Sequence, residues 1–384
     1  MQRRTVITLL VALCFAMVLP QQGHAQDAGL KTVKMGVLLP LKEKSARGAK
    51  MVEFYQGLLL AVDSLKHEGL NVNVTALHSG ASAAEMDVLL SSHSLAECDL
   101  VFGPLDSAQL PALADYCNIH DIRLISPFST LATQVKGHPL FYLMNAPRYT
   151  MQAEAIWFIQ SQFNDCNIVA VECNERNDEG SAFVEQMRTA LSEQGIYVRQ
   201  LNVNGDDIAY SQAFSPLRKN LVVLSSTSIK ALNTFLPRLK AFRRENPDFT
   251  IALFGYPDWQ TYTSQLLKDF YEQDTYVFTS FYRNPFAPRD QAFDSRFTSW
   301  FHHPMGQTFP RYGQMGFDYG YFFLRGLAIF GDQLEDNLDR VPANPFQHPL
   351  WFQRNDEADG FINTFVELIH YSPLQTIELM TRNR

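Results

Sequence analysis

Two stretches decide how this chain folds: DLVFGPLDS at residues 99–107 and RLISPFST at residues 123–130. Each is a short apolar run that stops at a Gly-Pro or Ser-Pro turn and then offers hydroxyls to the start of a following helix. Parallel strands present ligands in this way. They end at a common edge, where the next helix begins with unpaired N–H groups and the positive end of its dipole. An anionic or polar small molecule is the natural occupant of such an edge.

Working outward, further apolar runs recur at residues 33–39, 72–77, 168–171, 221–224, 251–254 and 276–279, with 100–102 and 122–125 forming the cores of the two quoted stretches. Between most of them lie longer segments with helical spacing, such as Met51, Tyr55, Leu58, Val62 and Leu65. This alternation predicts βαβ units and parallel sheets, with strand C-termini gathered along one edge by the right-handed crossover rule. The rhythm breaks at MNAP (144–147), FYRNPFAP (281–288) and VPANPFQHP (341–349). Taken as three crossings, these breaks predict two interleaved lobes, residues 31–143 with 286–341 and residues 147–281 with 346–384. Two successive domains with long surface loops are the other arrangement, and three breaks rather than one favour the interleaved one.

At the N-terminus Arg3 and Arg4 precede an apolar run over residues 6–19, then Pro20, with Gly23 and Ala25 at the minus-three and minus-one positions. The pattern predicts a secretory signal over residues 1–25, cleaved near Ala25, and a soluble periplasmic protein. Cys14 follows Leu13 inside the apolar run, which argues against lipid attachment there. Removing that segment takes away two arginines and no acid, so the formal charge moves from −8 to −10. Nucleic acid and anionic lipid are therefore poor partners. The roughly 360 residues that remain are too many for one compact core, which again points to two lobes.

Cys166 and Cys173 flank one apolar run and as strand ends lie beyond disulfide reach of each other. Cys98 opens one strand and Cys117 closes the helix running back beside it, so this pair is either a bridge or two buried thiols. No zinc spacing, phosphate-binding loop or H-E-x-x-H helix occurs in the sequence. Ser82, within GASAA, reads as a helix N-cap rather than a nucleophile, and the adjacent His302 and His303 read as a solvated helix end. Neither an enzyme activity nor a cofactor is expected.

Several blocks in order resemble the type I periplasmic solute-binding proteins, the group that includes the branched-chain amino acid receptors of ABC importers. They are KMGVLLPL (34–41), FYQGLLLAVDSL (54–65), FGPLDS (102–107), RLISPFST (123–130) and NIVAVECNERNDEGSAF (167–183). The resemblance implies two Rossmann-like α/β lobes, a three-strand hinge and closure on a ligand in the cleft. By the same resemblance, Ser107 falls where a hydroxyl at a helix start meets the ligand carboxylate. Phe128 and Thr130, with Ser126 and Ser129 in the same turn, fall where the amino acid head group is held. Ser107 and Thr130 also suit plain N-capping.

The second lobe departs from the family pattern. Asn177 stands where an aromatic residue often precedes an acid-glycine pair, here Glu179 and Gly180. Asp258, in FGYPDWQ, is the one acid near the position of the ammonium-binding carboxylate, and helix capping is its leading alternative. Tyr256 follows a strand end and Gly255, which makes it the first cleft candidate among Trp259, Tyr262, Phe281, Tyr282 and Phe286. A cleft with such rings suits an amino-acid-like or aromatic-compatible ligand. The expected partner is a membrane permease that recognises the closed form. The alternative is a non-transport envelope protein of the same fold that binds a cell-wall enzyme or wall fragment.

Overall fold

The computed structural model describes residues 32–175 and 178–382, and in them the chain builds two seven-stranded sheets. The expected signal segment and Asn177 lie outside the described residues. The first sheet grows from β1 (Thr32–Leu39), whose Val33, Met35, Val37, Leu38 and Leu39 are all buried, as a strand covered by helices on both faces requires. β1 pairs in parallel with β2 (Asn71–His78) and β3 (Leu100–Phe102), and β4 (Arg123–Ser126) and β5 (Phe141–Leu143) continue the parallel run. The second sheet repeats this plan with β6 (Asn167–Glu172), β7 (Val198–Asn202), β8 (Asn220–Leu224), β9 (Ile251–Gly255) and β10 (Thr275–Thr279).

The sheets are not wholly parallel. β11 (Phe352–Gln353) lies antiparallel to β12 (Phe361–Asn363), and β12 joins β5 of the first sheet in parallel. β13 (Glu367–Tyr371) and β14 (Ile377–Thr381) add an antiparallel edge to the second sheet beside β10. This corrects the expected boundary: residues 346–363 stay with the first sheet, and the last passage between sheets falls at residues 364–366, not at 341–349. The Pro-rich break has another purpose. It is strapped to a helix by the Asp318 carboxylate, which accepts the amides of Phe346, Gln347 and His348 at 2.7, 2.9 and 3.1 Å.

Helices cover both sheets. In the first lobe α1 (Ala46–His67) is capped by Ser45, whose Oγ accepts the Gly48 amide at 3.1 Å. α2 (Ala83–Leu90) starts with a reciprocal Ser82–Glu85 capping box, and α3 (Leu110–Ile119) follows the turn after β3. The amides of Ala81 and Ser82 and the Ser82 hydroxyl hold the Glu85 carboxyl down at about 2. The second lobe carries α4 (Arg148–Gln162), α5 (Glu179–Glu193), α6 (Asp207–Ala213), α7 (Ile229–Glu245) and α8 (Thr263–Glu272). The chain then returns to the first lobe as α9 (Pro288–Phe301) and α10 (Tyr312–Phe330). α10 lies backbone to backbone on α1: a Cβ on Gly57 would stand 2.0 Å from the Gly313 carbonyl oxygen, and one on Gly316 would stand 2.0 Å from that of Phe54.

The three passages between lobes are tied to each other. Buried Asn363 donates from Nδ2 to the Met144 carbonyl at 3.0 Å in the first passage and accepts the Phe365 amide at 3.1 Å in the last. The Tyr282 amide, in the second passage, donates to the Gln347 carbonyl at 3.1 Å, so the Asp318 strap anchors it as well. Replacing Asn363 with Leu leaves buried backbone groups in two passages unpaired. We expect a loss of about 2–4 kcal/mol in urea unfolding, at the upper end of single hydrogen-bond deletions.

Glu367 opens β13 opposite Thr279 and is 4% exposed, and burial pushes its carboxyl up to about 7. Burial does the same to Asp318, also to about 7. A raised carboxyl pKa favours the folded state below the unfolded value near 4, and the benefit is lost as pH rises through 7. The melting temperature should therefore fall between pH 5 and pH 8. Glu367→Gln should flatten that fall, by an amount on the order of 2 kcal/mol at pH 8.

Candidate functional site

The C-terminal edges of the two sheets meet at the hinge. β5 ends five residues before α4 begins in the second lobe, and β10 ends where the chain turns back toward α9. At the first-lobe edge, the turn after β3 runs through Asp106 into a short 3-10 turn that begins at exposed Ser107 and leads into α3. Asp106 forms an ion pair with Arg47 at the start of α1, which ties two strand-end loops together. Buried Gln109 fixes a third, donating to the Ser79 carbonyl at 2.7 Å and the Ser82 carbonyl at 3.1 Å.

The turn after β4 is pinned from beneath. Asn145 Nδ2 donates to the carbonyls of Pro127 and Ser129 at 2.9 and 3.3 Å, and the Ser129 hydroxyl accepts the Leu131 amide at 3.1 Å. Ser126 is fully buried at the strand end, its hydroxyl without a partner. Phe128 is half-buried and packs edge-on against Phe54, with ring centroids 5.1 Å apart. Thr130 is exposed. Ser107, Ser126, Phe128, Ser129 and Thr130 thus share one edge. None of the three exposed or half-buried hydroxyls serves as the side-chain cap of a helix.

The second-lobe edge is built differently, from serine hydroxyls set against carboxylates. β8 is followed by Ser225-Ser226-Thr227-Ser228, the same apolar-run-then-hydroxyl pattern as the two opening stretches. The buried Ser226 hydroxyl lies 2.5 Å from Glu175 and 2.8 Å from Asp178, and Ser228 Oγ lies 2.8 Å from Glu175. Asp178 also caps α5 through the Gly180 amide at 2.7 Å and accepts the Thr227 amide at 3.0 Å. With Ser226 donating to Asp178 and Ser228 to Glu175 each carboxylate has a hydroxyl partner, and Lys230 Nζ stands 3.9 Å from Glu175, so this edge is acidic where the first is not.

The other expected residues fall as follows. Tyr256 is 3% exposed, its hydroxyl donating to the Leu224 carbonyl at 2.5 Å and its ring packed against Phe183, Trp259 and Phe278. It is a core residue with only a ring face toward the edge, because the strand-end position is roofed by α5. Asp258 is exposed in the 3-10 turn Pro257–Tyr262, which no side chain caps, so the capping alternative is not realised. Trp259 is fully buried and Phe286 is 78% exposed. All four described cysteines are free, Cys98 and Cys117 included. Burial pushes the Cys98 and Cys173 thiols up to about 11 and about 12, which leaves them protonated and unreactive. His302 ends α9 in the left-handed region at φ 60°, exposed beside His303. Among the described residues no His, Cys, Asp and Glu cluster has metal-holding geometry, and no helix is long and apolar enough to cross a membrane.

A family profile described as "Receptor family ligand binding region" matches residues 49–246. No curated protein sequence matches the chain. Among solved structures, a putative branched-chain amino acid ABC transporter protein from Rhodospirillum rubrum is similar at 15% identity, over 91% of this chain and 100% of that one, with a TM-score of 0.64. A periplasmic ligand-binding protein of a branched-chain amino acid ABC transporter from Burkholderia xenovorans matches at 12% identity, over 91% and 94%, with a TM-score of 0.55. An ABC transporter substrate-binding protein from Desulfitobacterium hafniense, in complex with Leu, matches at 17% identity, over 91% and 100%, with a TM-score of 0.50. At these identities the likeness is one of fold.

The placement of Tyr256 makes a direct prediction. Tyr256→Phe removes a buried hydroxyl from the Leu224 carbonyl and should cost about 1–2 kcal/mol in chemical denaturation.

Proposed function

Because the chain belongs to the family of receptor ligand-binding regions, we propose that it is an exported solute-binding protein whose two lobes close over a small, amino-acid-like ligand and present it to an ABC importer. The contrast between the two sheet edges carries this reading. The first lobe offers hydroxyls at Ser107, Ser129 and Thr130 together with the first amides of a helical turn, which suits a carboxylate. The second offers the carboxylates of Glu175 and Asp178, held in place by the Ser228 and Ser226 hydroxyls, which suits an ammonium group. A ligand carrying both charges is held only when both edges reach it, and that difference in contacts favours the closed form. Asp258, exposed on the same edge, is a further contact for the ammonium end, and Asn177 stands beside Asp178 in the sequence.

Thermal-shift and calorimetric titration of the purified chain against free amino acids tests the reading. At least one zwitterion should raise the melting temperature and bind saturably. The Ser107→Ala/Thr130→Ala double variant and Asp178→Asn should each weaken that ligand at least tenfold, roughly one charge-assisted hydrogen bond. Failure of the whole panel, or undiminished binding by folded variants, would refute the assignment and leave the envelope-protein alternative in its place.

A further inference from the structure

Between α4, α5 and the ends of β9 and β10, the second-lobe edge opens into a cavity of about 160 Å³. Met151, Phe183 and Phe278 wall it, and the Tyr256 ring adds a further face. The Tyr256 hydroxyl is already committed to the Leu224 carbonyl, so it brings only a ring surface. Of its other polar lining residues Arg148, Glu179, Thr227 and Asp258 are exposed or half-buried, and Gln152 is the buried one. Gln152 is 7% exposed, its amide makes no hydrogen bond, and neither its oxygen nor its nitrogen is sealed inside protein. Both amide atoms stay open to the cavity, so a ligand entering it must replace their water contacts with a hydrogen bond of its own.

We propose that this cavity is a subsite for a benzene-sized ring carrying one hydroxyl, with the hydroxyl paired to Gln152. The size fits, since an apolar cavity of about 150 Å³ is large enough to admit benzene. The chemistry fits too: an amide presents a donor and an acceptor side by side, and a phenolic hydroxyl answers either. Aromatic walls favour a flat ring over a branched chain by edge and face contacts. The Arg148–Glu179 ion pair and Asp258 stand at the mouth, outside the apolar part, where the remainder of a polar ligand would continue toward the hinge. This subsite rests on the reading of the edge as half of a solute cleft and narrows that reading to phenol-bearing ligands.

Fluorine NMR of the full chain with 4-fluorophenol and with 4-fluorotoluene tests it. The wild type should bind 4-fluorophenol saturably and at least fivefold more tightly than 4-fluorotoluene. Gln152→Leu should weaken 4-fluorophenol about tenfold while leaving 4-fluorotoluene unchanged or tighter, a pattern that a merely structural glutamine does not produce. Thr227→Phe, which fills the cavity from its rim without touching Gln152, should abolish binding of both probes and covers the case in which the glutamine variant fails to fold. Equal binding of the two probes by the wild type, or an unchanged response in Thr227→Phe, overturns the proposal. Ser107→Ala/Thr130→Ala should leave 4-fluorophenol binding intact, so an amino acid response undiminished in that variant, with the phenol response retained, counts against the cleft reading and not against the cavity.

Discussion

The structure depends on one tie: Asn363 holds the first and last passages between the lobes to each other through paired bonds to Met144 and Phe365. A hinge of three separate strands could splay, twist or slide, and a buried amide satisfied from both ends leaves concerted bending as the least costly motion. The second passage is coupled to the same point by a different device. Asp318 grips three successive amides, and the carbonyl of one of those residues, Gln347, receives Tyr282. The hinge is thus a short belt of backbone bonds organised by two buried polar side chains, one neutral and one ionisable.

That belt sets what the edges can do. Each lobe is stiffened by central strands buried on both faces, and the first lobe also by the close glycine contact of α1 and α10. Each lobe therefore carries its own half of the chemistry as a fixed piece. The halves differ in kind: hydroxyls and helix amides on one side, carboxylates braced by serine hydroxyls on the other. Neither half is complete as a cage, and their complementarity has meaning only across the gap that the hinge spans.

How much of this was legible follows from the physics of each element. All eight apolar runs became strands, seven of them because a parallel strand buried on both faces must be apolar, the eighth being β2 at the sheet edge. β7 and β14 escaped notice because edge strands are half polar, and β5, β11 and β12 because two or three residues carry no period. The last passage was misplaced because proline-rich composition marks a break in regular structure and not its purpose; here the break is a strap on α10. At the first-lobe edge the turns could be read since strand and hydroxyl are adjacent in sequence. The same rule applied to LVVLSSTS would have found Ser226 and Ser228. Glu175 and Asp178 could not be found this way, because their pairing is made across separate loops. For Tyr256, position after a strand says nothing about the helix above it, and the hydroxyl is spent on Leu224 while a ring face is left open to the cavity.

The late return of β12 to the first sheet bears on how the molecule comes into being. Tyr142 pairs with Phe361, so a strand made early waits for one made more than two hundred residues later. During synthesis the nascent chain must keep the β5 flank uncovered until nearly all of it has left the ribosome, and the same holds for β10 until β13 arrives. Both sheets are completed only by the last few dozen residues of the chain. Such long-range closure slows folding and lengthens the time that apolar strands remain open to wrong partners. A chain built in this order stays unfinished, and so able to thread a narrow channel, for almost its whole manufacture.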